Sequence, residues 1–171
     1  MNSERHILTK VIIDHVDYCF ENIGILFTTF TEEDFHKDIN GFPIWQHFYH
    51  MLNSIDRILT DPIEYMFPPF HIANLNTLEY KFKIQISRAI LNDYFNEIVQ
   101  RSTEYLQNID EETLVKKSNH KTLYLTKLDH ILAQQRHMTW HIGYLHSCAK
   151  VIYGNTPEHV LVKDKSYMID Q

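Results

Sequence analysis

From position 8 onward, apolar side chains return every three or four residues: Leu8, Val11, Ile12, Val16, Cys19, Phe20 and Ile23, with His15 in the same register. That spacing fits one face of a helix at 3.6 residues per turn, and Ser3 is a suitable N-cap. The pattern predicts a first helix from about Glu4 to about Leu26. Thr31-Glu32-Glu33-Asp34 reads as the capped start of a short helical turn, followed by a loop from Asp38 to Gly41. Pro43 suits the first turn of a second long helix, whose apolar face is Ile44, Phe48, Met51, Leu52, Ile55, Ile58 and Leu59 and which stops before Asp61-Pro62.

The periodicity then fails. From Pro62 to about Ile86 the chain carries Pro62, Pro68 and Pro69 among crowded aromatics. A connection of this length in a compact domain is commonly functional, and it reads here as a lid. Ser87 caps a third helix, with Ile90, Leu91, Tyr94, Phe95, Ile98, Val99 and Leu106 on its apolar face, running to about Asn108. A polar connection is expected from Asp110 to His120. Thr126 opens the fourth helix, with Leu128, Ile131, Leu132, Met138, Ile142 and Leu145 on one face, and Gly154-Asn155-Thr156-Pro157 stops it. Four apolar stripes of this kind are buried most simply in an all-α, antiparallel four-helix bundle, with one long irregular connection after the second helix. A chain of 171 residues is expected to make a single domain spanning 1–171.

Composition removes several classes of function. Sixteen basic against 22 acidic residues give a formal charge of −6, which disfavours nucleic acid as a partner and with it a DNA-binding stress factor. No long apolar run and no basic-then-apolar leader appears, so no membrane association and a cytoplasmic location are expected. Four glycines are too few for an all-β fold, and no phosphate-binding loop or Gly-x-Ser-x-Gly elbow is present. Cys19 and Cys148 have no thiol-catalysis motif and read as small buried hydrophobes, although Cys148, two turns after His141, could line a pocket floor.

Histidine is the unusual residue, at 12 copies. In Gln134-Gln135-Arg136-His137-Met138-Thr139-Trp140-His141, two imidazoles four residues apart project from one face of a helix, one turn from each other, as two ligands of one divalent ion do. Their direction lies roughly 120° from the centre of the apolar stripe. Trp140, Ala133 and Tyr144 flank it on one side, and Met138 and Leu145 on the other. Buried histidines there need partners for their ring nitrogens, and a metal is one. A catalytic site of the zinc type takes three protein ligands. The second helix offers His47 and His50 on a stripe with Ser54 and Arg57, and periodicity does not choose between them.

GFPIWQHFYHMLNSIDRIL, followed some 80 residues later by LDHILAQQRHMTWHIGYLHS, resembles the DinB/YfiT-like superfamily from about Phe42 through Gly143. Ser87-Arg88 and Asp110-Glu111-Glu112-Thr113-Leu114 look similar as well. The resemblance implies a four-helix bundle in which a late histidine of the second-helix motif joins an HxxxH pair on a divalent metal. It therefore makes His50, His137 and His141 the metal ligands and leaves His47 a neighbour. It also implies a homodimer, for which Trp140, Tyr144 and Ile152 offer an apolar flank. Known reactions in the superfamily include bacillithiol-dependent transfer and mycothiol-dependent isomerisation, but membership does not transfer a substrate.

Three neutral imidazoles leave the metal's charge free to polarise a water or a thiol. Zinc or nickel is the expected ion, with a low-molecular-weight thiol as a second cofactor and a small molecule as substrate. The expected activity is thiol transfer or hydrolysis. The alternative is a non-catalytic small-molecule-binding or stress-related bundle in which the metal is structural. No HExxH glutamate is available as a base. Gln134 is placed to orient a ligand; Tyr49, Arg57 or Tyr144 could hold an anionic group, and His130, two turns before His137, could support the site from behind.

Overall fold

The spacing of apolar residues is realised as four long helices, whose order and packing are seen in a computed structural model describing residues 7–60, 65–117 and 126–160. These are α1 (Ile7–Thr29), α3 (Ile44–Leu59), α4 (Arg88–Asn108) and α6 (Lys127–Tyr153). Two short helices, α2 (Glu32–Phe35) and α5 (Glu111–Val115), and a small hairpin, β1 (Asp38–Ile39) with β2 (Phe42–Pro43), complete the described elements. The described chain is thus mostly helical. The long helices pack in a closed cycle: α3 lies against α4 and α6, and α1 lies against the same two. Ile23, Leu26, Phe48, Leu52, Ile55, Leu91, Ile98, Met138 and Leu145 are all fully enclosed between them. The expected Ser3 cap and Glu4 start, the Asp61-Pro62 stop and the end of the 110–120 connection lie outside the described residues.

Local chemistry explains the boundaries. Thr31 accepts from the Asp34 amide to start α2. Thr126 and Asp129 form a reciprocal capping box at the head of α6, and Gly154, at φ 81°, ends it in the left-handed conformation. Asp34, held well below the ordinary carboxylate range chiefly by hydrogen bonds from Lys37, Tyr153 and Thr31, ties α2 to the last turn of α6.

Several expectations are corrected. Residues 38–43 form a hairpin and not a plain loop, because Asn40-Gly41 takes positive φ at both positions, 54° and 110°, the two-residue turn that suits antiparallel strands. Pro43 is the N-cap of α3 and not its first residue. The polar connection contains α5, capped by Asp110, whose carboxylate accepts from the Thr113 amide at 2.6 Å; Leu114 is its buried anchor. Helix α1 continues to Thr29. Leu8, Val11, Ile90 and Leu132, assigned to apolar faces by spacing, are exposed at the stripe margins.

Helix α3 is the most thoroughly buried of the four long helices. Of its 16 residues, 12 are buried, including Gln46, His47, Asn53 and Asp56. The stripe of His47, His50, Ser54 and Arg57 is largely covered, with Arg57 alone exposed, so each covered polar residue must find a partner or bear the cost of desolvation. No helix among the described residues is long and apolar enough to cross a membrane.

Candidate metal centre

Helices α3 and α6 lie side by side and bring His50, His137 and His141 together, with one ring nitrogen from each within 4.8 Å of the others. The Nε2 atom of His137 is 3.0 Å from Nε2 of His50 and 3.1 Å from Nε2 of His141. His141 is fully buried, and the other two are partly buried. The i, i+4 spacing aligns the α6 pair, and the α3–α6 contact delivers His50 across from them.

The protons on these rings can be assigned from their outer partners. Nδ1 of His50 lies 2.8 Å from the carbonyl oxygen of Asn76. A carbonyl only accepts, so this nitrogen carries the hydrogen, and Nε2 turns a lone pair inward. Gln134 links Ser54 to His137: the Ser54 hydroxyl donates to its Oε1 at 2.8 Å, and its Nε2 lies 3.4 Å from Nδ1 of His137. For Nε2 of His137 to face a cation, Nδ1 must donate. The Gln134 amide then turns its oxygen to His137 and its NH2 to the Ser54 hydroxyl, using the same atoms.

Burial presses all three rings toward the neutral form that binds metal. His137 is lowered to about 4 by desolvation, with the neighbouring His50 and Arg57 adding to it. His141 is lowered further, by desolvation and then by His137, His50 and His47. His50 is lowered by burial, against the opposing effect of the Asn76 carbonyl. Lone pairs facing each other at these distances repel, and a single ring proton can bridge only some of them. Three nitrogens about 2.0–2.1 Å from one zinc lie roughly 3.3 Å apart, close to the spacings observed. The donor set therefore fits a divalent cation.

The remaining predicted residues divide. His47 is buried beside the three, its ring stacked on Tyr144 with centroids 4.1 Å apart and 6.0 Å from His141. Gln134 reaches His137, as above. Arg57 is exposed and near enough to depress the two partly buried histidines. Tyr49 does not reach the site: its hydroxyl lies 2.6 Å from Nδ1 of His71, and its ring packs on Phe70 and Tyr94. Tyr144 is committed elsewhere, donating to the Ile39 carbonyl at 2.7 Å. Cys148 is buried and in hydrogen-bond contact with Tyr144, and desolvation raises its pKa. His130 is buried but stands outside the converging group.

The irregular connection serves two places. Its second half carries Asn76, and Gln46 donates from α3 to the carbonyls of Thr77 and Tyr80 at 3.0 and 2.6 Å. Its first half lines a cavity of about 610 Å3 with Asp56, Tyr94, Arg101 and Tyr105, and none of the three histidines borders that cavity. Asn76 and the buried Asp56 were not singled out from sequence. The only available signal was Asp56 one turn after Leu52, within the apolar register.

No family model, curated protein or solved structure matches this chain.

Proposed function

We propose that the chain is a DinB-like four-helix-bundle protein that holds a divalent metal, zinc or nickel, at His50, His137 and His141, and that it acts on a small molecule by thiol transfer or hydrolysis. The observation that carries this reading is the inward convergence of three Nε2 atoms, with the His50 tautomer set by the Asn76 carbonyl. A metal bound there supplies a Lewis acid that lowers the pKa of a water or thiol toward neutrality. The protein supplies the rest: α3 and α6 orient the rings, Asn76 and Gln134 hold the outer nitrogens of His50 and His137, and the 75–80 segment covers His50. Arg57, exposed nearby, offers a cation for an anionic part of the substrate. Trp140, 59% exposed, is what remains of the apolar flank suggested for a homodimer, since Tyr144 and Ile152 pack within the chain.

A second reading, a non-catalytic bundle with a structural metal, draws on the cavity of about 610 Å3 lying away from the histidines. Metal content decides the first question. Protein purified without affinity tag or chelator should carry about one divalent ion per chain by plasma mass spectrometry, and His50→Ala, His137→Ala and His141→Ala should each lose it while remaining helical by circular dichroism. Metal-free wild type that takes up neither zinc nor nickel would sink the proposal. Metal whose removal lowers the melting temperature, with no turnover on any thiol or ester panel, would favour the structural reading.

A further inference from the structure

The cavity of about 610 Å3 lies between the first half of the irregular connection and a stripe of α4 at three- and four-residue spacing, Glu97, Arg101, Glu104, Tyr105 and Asn108. Pockets that take small organic molecules run from about 300 to 1,000 Å3. Four aromatic rings, those of Tyr65, Phe67, Tyr94 and Tyr105, line this one. Flat walls of that kind favour a planar, weakly hydrated body.

The polar groups of the lining differ in how far they are engaged. The acids all have partners: Asp56 accepts from Tyr94 and Arg101, Glu97 stands 3.6 Å from Arg101, and Glu104 accepts from Gln100 at 3.1 Å. The donors are left over. Arg101 gives Asp56 one of the five N–H groups a guanidinium carries, and its contact with Glu97 is too long for a hydrogen bond. The Tyr65 oxygen accepts from Asn53 at 2.7 Å, which leaves its own O–H to give, and burial raises its pKa so that the proton stays on. Asn53 and Asp56 are neighbours one turn apart on α3, so the two donors they hold, Tyr65 and Arg101, stand side by side. Lys127 lies over the Tyr105 ring, with Nζ 5.8 Å from its centre, and forms no ion pair among the described residues.

We propose that this cavity binds a small aromatic monocarboxylate, with its ring between the aromatic walls and its carboxylate held by Arg101 and the Tyr65 hydroxyl, Lys127 adding a second positive charge. Glu97 and Glu104, exposed on the same stripe, oppose any further negative charge on the ligand. None of the three converging histidines borders the cavity, so the site stands under either reading of the metal centre.

The test is isothermal titration of the full chain with 2-naphthoate, with neutral 2-naphthamide and cationic 2-naphthylmethylamine as comparators, before and after treatment with a chelator. One 2-naphthoate should bind per chain, about tenfold or more tighter than the amide, with equal affinity in both preparations and in His141→Ala. Tyr65→Phe keeps the ring and removes the donor, and should weaken binding about tenfold. Lys127→Met should weaken it about threefold. Since Tyr65→Phe also takes a partner from Asn53, circular dichroism checks that it stays helical, and Lys127→Met serves as the variant that touches no buried group. Absence of saturable 2-naphthoate binding would overturn the proposal, as would an amide or amine that binds equally well, or unchanged affinity in both variants. Binding lost on chelation, with helicity retained, would place the carboxylate on a metal and overturn it as well. A wild type that carries no metal yet binds 2-naphthoate would sink the metal reading alone.

Discussion

Helix α3 carries buried polar groups on two opposite faces, and the two faces are finished differently. Toward α4, Asp56 is 3% exposed and fully engaged: it accepts from the Tyr94 hydroxyl at 2.8 Å and from Arg101 at 2.8 Å. Burial and the adjacent carboxylate keep the Tyr94 phenol protonated, its pKa driven far up. Asn53 donates to the Tyr65 hydroxyl at 2.7 Å on the same side. Toward α6, both nitrogens of His47 and Nδ1 of His141 are without partners, and three Nε2 atoms crowd one point. The first face is closed within the protein, as a structural polar cluster must be. The second leaves those nitrogens unpaired within the protein.

Acid should separate the two faces most strongly. His47 and His137 both titrate near 4 in the fold, against about 6.5 unfolded. Between those values the unfolded chain binds more protons, so the stability these two groups contribute must fall as pH drops through about 6.5 and level off below about 4, while His141, lowered further, carries the fall to still lower pH. The expected loss from pH 7 to 5 is about 2 kcal/mol for each of the two groups, measured by urea denaturation across that range. A flat profile would show that the histidine face is not strained. Next in size, Arg101→Ala leaves the Asp56 carboxylate buried with a single partner and should cost about 3 kcal/mol of unfolding free energy. Metal uptake should be unchanged. If uptake fell as well, the two faces would be coupled through α3 and the distinction between them would collapse. The smallest expected effect is that of Gln134→Leu, which removes the outer partner of His137 and should weaken zinc affinity by about 10- to 100-fold in chelator competition, with the α4 face untouched.

The four long helices are legible in the spacing of apolar residues because each needs one continuous stripe for the core. Helix α5 was not, since five residues cannot display a period, and only the burial of Leu114 against the neighbouring helices makes it worthwhile. The hairpin was read as a plain loop, although Asn40-Gly41 is a turn signal that can be read locally. Exposure of Leu132 and Ile90 could not be read so, because the width of the buried stripe depends on how closely the neighbouring helices approach. At the site, the His137/His141 pair follows from helix geometry alone. His50 and His47, one turn apart on the same helix, look equivalent in sequence.

What the chain determines by itself, then, is local and periodic: helices with their caps at Ser87, Thr126 and Gly154, and two imidazoles aligned on one face of α6. Tertiary structure decided the rest. The α3–α6 packing turned His50 to the pair and left His47 beside them with its nitrogens idle, Asn76 arrived from a connection with no period to read, and Tyr49 was drawn to the opposite side by His71. The physical reason is that a hydrogen bond or a coordination site depends on where atoms meet to within a few tenths of an ångström. Spacing along a chain specifies direction about a helix axis, and only packing specifies distance between axes.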